Sequence, residues 1–67
     1  MFKIKLNGND HFLDAPINVN DLLKKMDIHP LRVAVEINLD IIPKERYANA
    51  LINEGDQIEV IEFVGGG

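Results

Sequence analysis

A chain of 67 residues, 46% of them hydrophobic and with a formal net charge of −4, has room for one domain around one small core, and it is too apolar to be a disordered segment. It has no cysteine, which excludes disulfides and thiolate zinc sites and fits a reducing compartment, and its acidic balance argues against nucleic acid, whose phosphates need a basic footprint. The opening residues lack the apolar stretch of a signal peptide and no apolar run can span a bilayer, so a soluble, cytoplasmic protein with no membrane partner is expected.

"FKIKL" alternates strictly, with Phe2, Ile4 and Leu6 on one face and Lys3 and Lys5 on the other, which predicts a half-buried strand. Asn7-Gly8 follows, a dipeptide that tolerates positive φ and signals a hairpin. A second strand over residues 11–15 should pair back on the first, with an open question over its inward face because Phe12 and Leu13 point opposite ways; Pro16 should end it. In "NVNDLLKKM" (residues 18–26), Val19, Leu22, Leu23 and Met26 form one apolar stripe at helical spacing. Asn18 is placed as the N-cap, Asp21 suits the positive helix end and Lys24 and Lys25 the negative one.

Pro30 closes the connection to "RVAVEI", where Val33, Val35 and Ile37 should face inward. A turn at residues 38–40 precedes a short apolar piece, Ile41-Ile42, stopped by Pro43; "KERYANA" predicts one irregular helical turn, and Arg46 and Tyr47 are read as anchoring that loop against the sheet. Gly55 supplies the positive φ of the "NEGD" turn. The last strand, "QIEVIEFV", runs into Gly65, Gly66 and Gly67. This order of elements matches an α+β fold of the β-grasp, or ubiquitin-like, type: a mixed sheet with one main helix packed across one face, one domain over residues 1–64 and a flexible glycine tail over 65–67.

Parity divides the last strand. Ile58, Val60 and Val64 share one face, and Ile61 and Phe63 the other. A single helix covers one face of a sheet, so Ile61 and Phe63 are candidates for an exposed apolar patch. Charge is divided too: residues 1–33 hold five bases and four acids, residues 34–67 two bases and seven acids. A partner meeting the second half should therefore be basic.

The quoted stretches "LNG", "DLL", "VAVEIN", "IIPKERY" and "EGDQIEVIEFV", with the closing glycines, resemble the ThiS family of sulfur carriers over essentially the whole chain. The resemblance implies a protein that is not itself an enzyme and binds no cofactor. An E1-like, ThiF-like enzyme would use ATP to adenylate the carboxylate of Gly67, and a persulfide donor would convert it to a thiocarboxylate. A ThiG-like thiazole synthase would take the sulfur in thiamine biosynthesis. Under that reading Gly65, Gly66 and Gly67 enter the partner's active site, since three extended residues without Cβ reach ~10 Å. Ile61, Phe63, Glu59 and Val64 form the partner-binding surface, and the carrier is a monomer when free.

Blander readings stand beside these. A glycine run can be a frayed end, Ile61 and Phe63 can be ordinary core, and Glu59 and Glu62 a solvated strand face. His11 and His29 are isolated, so no metal site is expected, and no nucleophile–base pair can be assembled. A molybdopterin synthase small-subunit-like carrier and a non-carrier β-grasp interaction module are the competing functions.

Overall fold

The computed structural model of the chain describes residues 1–63. Strand β1 (Phe2–Leu6) and strand β2 (Asn9–Leu13) form the expected hairpin, with Leu6 opposite Asn9. Asn7 and Gly8 take φ of 50° and 82°, the backbone that lets a two-residue turn follow the right-handed twist of its strands. That tight turn corrects the sequence expectation for β2. Pairing begins at Asn9, so the strand occupies residues 9–13 instead of 11–15, and the chain bends at Asp14 and Ala15, before Pro16 is reached. Register also decides the inward face: Leu13, opposite Phe2, is buried, while Phe12, opposite Lys3, faces solvent.

Strand β3 (Ile17–Asn18) pairs antiparallel with β6 (Leu51–Ile52) in a separate two-stranded sheet. Neither strand was expected, because two residues are too few to show a period. The pair leads straight into helix α1 (Val19–Lys25), where the Val19 N–H donates to the Ala50 carbonyl at 3.0 Å. Asn18 is the N-cap, its Oδ1 accepting from the Asp21 N–H at 2.8 Å, a contact worth ~1 kcal/mol. Val19, Leu22 and Leu23 are fully buried and Met26 packs at the rim of the core. A seven-residue helix is too short to hold itself in water, so these side chains, each worth roughly 1.5–3 kcal/mol when buried, fasten it to the sheet.

A 3₁₀ turn at Pro30–Arg32, capped by His29 Nδ1 accepting from the Leu31 N–H at 3.1 Å, delivers the chain to β4 (Val33–Ile37). Strand β5 (Asp40–Ile42) returns antiparallel, Lys44–Arg46 form the expected single turn after Pro43, and β7 (Gln57–Glu62) closes the fold. The main sheet has the order β2-β1-β7-β4-β5, with β1 and β7 parallel and every other pair antiparallel. It is a mixed sheet with α1 on one face, the β-grasp arrangement.

Ile4, Leu13, Val33, Val35, Ile58 and Val60 supply the sheet side of the core. Tyr47 joins them almost wholly buried, more deeply than a loop anchor need be; that burial raises its phenol pKa above the ordinary value, opposed by a backbone hydrogen bond at Val35. Two asparagine amides seat β7. The Val60 N–H donates to Asn7 Oδ1 at 2.8 Å, and the Gln57 N–H donates to Asn38 Oδ1 at 2.9 Å, while Asn38 Nδ2 reaches Asp56 Oδ1 at 3.0 Å. Among the described residues no helix is long and apolar enough to cross a membrane.

On the open face of the hairpin, Asp10 Oδ1 lies 2.9 Å from Lys5 Nζ and Oδ2 lies 4.0 Å from Lys3 Nζ. The hydrogen bond from Lys5, then the charges of Lys3 and Lys5, hold the Asp10 carboxyl below its ordinary value of 3.8. A depressed folded pKa adds stability that is present above the unfolded value and lost as pH falls through the folded one. Side-chain carbon shifts followed by NMR should therefore place the Asp10 midpoint below the ordinary carboxylate value. Lys5→Met should move it up, and an unmoved midpoint would refute the assigned cause.

Candidate functional site

Cross-strand register assigns the residues of the face that α1 leaves open. Lys5 lies opposite both Asp10 of β2 and Gln57 of β7; Ala34 lies opposite Ile61, and Glu36 of β4 opposite both Glu59 of β7 and Ile41 of β5. Residues directly opposite share a face. Lys3, Lys5, Asp10 and Phe12 therefore occupy the β1–β2 side, and Ala34, Glu36, Ile41, Glu59 and Ile61 the β4–β5–β7 side. Ile58 and Val60 point the other way and are buried, so β7 keeps its alternation without a bulge.

Ile61 is 47% exposed and Phe63, one residue past the strand, 61% exposed; Ile41 is more open still at 72%. Ile61 and Phe63 make an apolar surface at the end of β7, and Ile41 stands two strands away in the row of Glu36 and Glu59. Glu59 is exposed, as expected for a solvated strand residue, but its surroundings are less ordinary. Its direct neighbour across the ladder is another glutamate, Glu36, and like charges directly opposite destabilise a sheet. Among the described residues the side-chain ion pairs are those of Asp10 with Lys3 and Lys5, so neither glutamate is neutralised. The face thus carries two unrelieved carboxylates side by side, Glu36 next to Ile41 and Glu59 two residues before Ile61.

At its upper edge the charge changes sign. Lys44 Nζ donates to the Val33 carbonyl at 2.9 Å and lies 5.4 Å from the centroid of the Phe63 ring and 5.9 Å from that of Tyr47. The Phe63 N–H donates to the Arg32 carbonyl at 2.9 Å. Of the two bases in the acidic second half, Lys44 is thus brought to the end of β7, where the Arg32 carbonyl also meets the chain. Val64, Gly65, Gly66 and Gly67, also expected at the site, lie outside the described residues.

Sequence reasoning singled out Ile61, Phe63 and Glu59 but missed Glu36, Ile41 and Lys44. The first two reach the site through the register of β4 with its neighbours, which no spacing within one segment reveals. Lys44 reaches it from a turn whose conformation sequence left irregular. Among the described residues no group of three or more His, Asp or Glu side chains is placed to hold a metal ion. A shallow hollow beside Glu59, lined in part by Lys5, Leu39 and Gln57, contains no nucleophile paired with a base. The arrangement is suited to docking.

Comparison with known proteins agrees with the fold. The ThiS family model matches residues 4–67. The chain is similar to the sulfur carrier protein ThiS of Bacillus subtilis, 38% identical over 65 residues that cover 96% of this chain and 98% of that one, and to a thiazole synthase of Paramagnetospirillum magneticum, 40% identical over 65 residues. The second match covers 97% of this chain and 20% of the synthase, so the chain spans about a fifth of the length of that relative. Among solved structures, the crystal structure of a thiamine biosynthesis protein (ThiS) from Geobacter metallireducens superposes with a TM-score of 0.85 at 28% identity, covering 98% of this chain and all of that one.

Proposed function

The chain belongs to the ThiS family, and from that premise we propose that it is a sulfur carrier, a protein co-substrate and no catalyst, which supplies sulfur for thiazole formation in thiamine biosynthesis. The carboxylate of Gly67 is the reacting group. A carboxylate resists nucleophiles because its charge is delocalised over both oxygens, so it must first be activated. One of its oxygens attacks the α-phosphorus of ATP in a ThiF-like enzyme, expelling pyrophosphate and leaving an acyl-adenylate. The terminal sulfur of a persulfide donor then displaces AMP, and a second thiol cleaves the resulting acyl disulfide to the thiocarboxylate. A ThiG-like synthase receives the sulfur from it. The carrier needs no cysteine of its own, and has none, because the sulfur travels on the backbone terminus.

The observation that carries the thiazole branch over a molybdopterin one is the similarity of nearly the entire chain to a segment of proteins named thiazole synthase. Docking in this reading uses the open face. Ile61, Ile41 and Phe63 supply apolar contact, and the facing carboxylates of Glu36 and Glu59 favour a partner that presents a cation there. Gly65, Gly66 and Gly67 pass into the partner's active site, where a Cβ would obstruct the approach.

The test is the intact mass of the protein after incubation with ATP, a ThiF-like adenylating enzyme, a persulfide donor and a thiol. The expected result is a gain equal to one sulfur replacing one oxygen. No gain, with the enzyme proven active on another carrier, would overturn the reading. Docking is tested separately with Ile61→Asp, which replaces an apolar contact by a hydrated charge at a position already exposed. Affinity for the adenylating enzyme should fall about tenfold or more, a loss of at least ~1.4 kcal/mol, with little change in thermal midpoint. Equal losses of affinity and stability would mean that Ile61 serves the fold.

A further inference from the structure

One ammonium group reaches two parts of the chain remote from it in sequence, and one aromatic ring of its own turn. Lys44 stands on the 3₁₀ turn after β5, the Val33 carbonyl it binds at 2.9 Å opens β4, and the Phe63 ring 5.4 Å away is attached to the residue that follows β7. The third contact, Tyr47 at 5.9 Å, is part of the core. A lysine on an exposed turn ordinarily extends its ammonium into water, where three donors are satisfied at no conformational cost. Here it turns inward to a carbonyl and two aromatic faces, both of which attract a cation through the ring quadrupole.

The contact to Phe63 has a geometric consequence. Val33 pairs with Glu62, and the Phe63 N–H still donates to the Arg32 carbonyl, so the ladder with β4 extends one residue past the strand. Yet the Phe63 side chain is largely exposed and has no place in the core cluster. The Lys44 ammonium therefore holds that ring from one side, while the backbone bond holds its main chain from the other. Both act at the last described residue before those assigned to the partner's active site.

We propose that Lys44 is a positioning residue for the docking face: by fixing the exposed Phe63 ring against the start of β4, it presents that ring, already ordered, to the adenylating enzyme. The proposal rests on the carrier reading for its consequence in turnover, but its structural half stands independently. Order in place before binding removes a cost from association. It does nothing for the chemical step once the terminus is seated. Losing it should therefore raise KM for the carrier in the adenylation reaction and leave kcat unchanged.

The experiment compares wild-type protein with Lys44→Met, which keeps the length and removes the charge, and Lys44→Arg, whose guanidinium can still donate to the carbonyl and stack on the rings. Lys44→Met should raise KM about tenfold at unchanged kcat, and Lys44→Arg should restore most of the loss. In the free protein, ring currents should shift the Lys44 ε-methylene protons upfield, and Phe63→Leu should remove much of that shift. A KM unchanged in Lys44→Met overturns the proposal, as does a loss that follows the thermal midpoint across the variants and is not restored by arginine. If wild-type protein is not adenylated at all, the carrier reading fails. The ring-current measurement still decides whether Lys44 holds Phe63, and ε-methylene signals indifferent to Phe63→Leu would overturn that contact too.

Discussion

Appending one residue after Gly67 should abolish the gain of sulfur while leaving the thermal midpoint where it was. The addition displaces the terminal carboxylate by ~3.5 Å along an extended chain. Misplacement of a reacting group by ~1 Å can already cost about a hundredfold in rate, so turnover should drop below detection. The fold should be indifferent to the change, because every described core residue, from Ile4 to Val60, lies upstream of it. Intact mass and a thermal melt on the same sample check both halves. Charging at the wild-type rate would show that the carboxylate of Gly67 is not the required acceptor. A melting change of the same sample would show that the terminus contributes to the fold.

Leu23→Ala should do the reverse. Leu23 is fully buried on α1 beside Leu22 and Val19, and its carbonyl accepts from the Ile28 N–H at 2.9 Å, closing the loop after the helix. Truncating a buried leucine costs about 2–5 kcal/mol. In a domain of this size each kcal/mol moves the midpoint by roughly 4–8 °C, so the melt should fall by at least ~8 °C. Because small domains have only ~5 kcal/mol or so to lose, much of the chain could be unfolded at the growth temperature of a mesophile. Circular dichroism followed against temperature provides the measurement, and a shift of only a degree or two would mean that the core collapses around the missing side chain. Whatever folds should still be charged, since no residue of the docking face has changed.

How far the sequence alone leads differs between the two halves of this picture. β1, α1, β4 and β7 were legible because each is an uninterrupted period: two for Ile4 and Leu6 or Val33 and Val35, near 3.6 for Val19, Leu22, Leu23 and Met26. Asn18 and Gly55 were legible because their jobs, a helix cap and a positive-φ turn, suit few other residues. The β3–β6 pair was not, since a two-residue strand is defined by its partner alone. Nor was the start of β2, which depends on how tightly Asn7 and Gly8 turn. In the site, the exposure of Ile61 and Phe63 followed from parity. The facing of Glu36 with Glu59 did not, for it is a property of register between segments that are remote in the chain, and the reach of Lys44 to Phe63 is of the same kind.

The middle strand of the main sheet is β7, the last strand in the sequence, flanked by β1 from the beginning and β4 from the centre. The two hairpins can each form from neighbours in the chain, but they share no edge until β7 arrives between them. Its pairing with β1, which sets Lys5 beside Gln57, is the slow, entropically expensive kind. The surface proposed for docking, Ile61 and Glu59 among Ala34, Glu36 and Ile41, exists only once that insertion has happened. A misfolded copy bears the same glycines without the assembled face. If the adenylating enzyme of the proposed function docks on this face, a chain whose sheet is incomplete offers it no surface, because β7 both closes the sheet and carries Glu59 and Ile61.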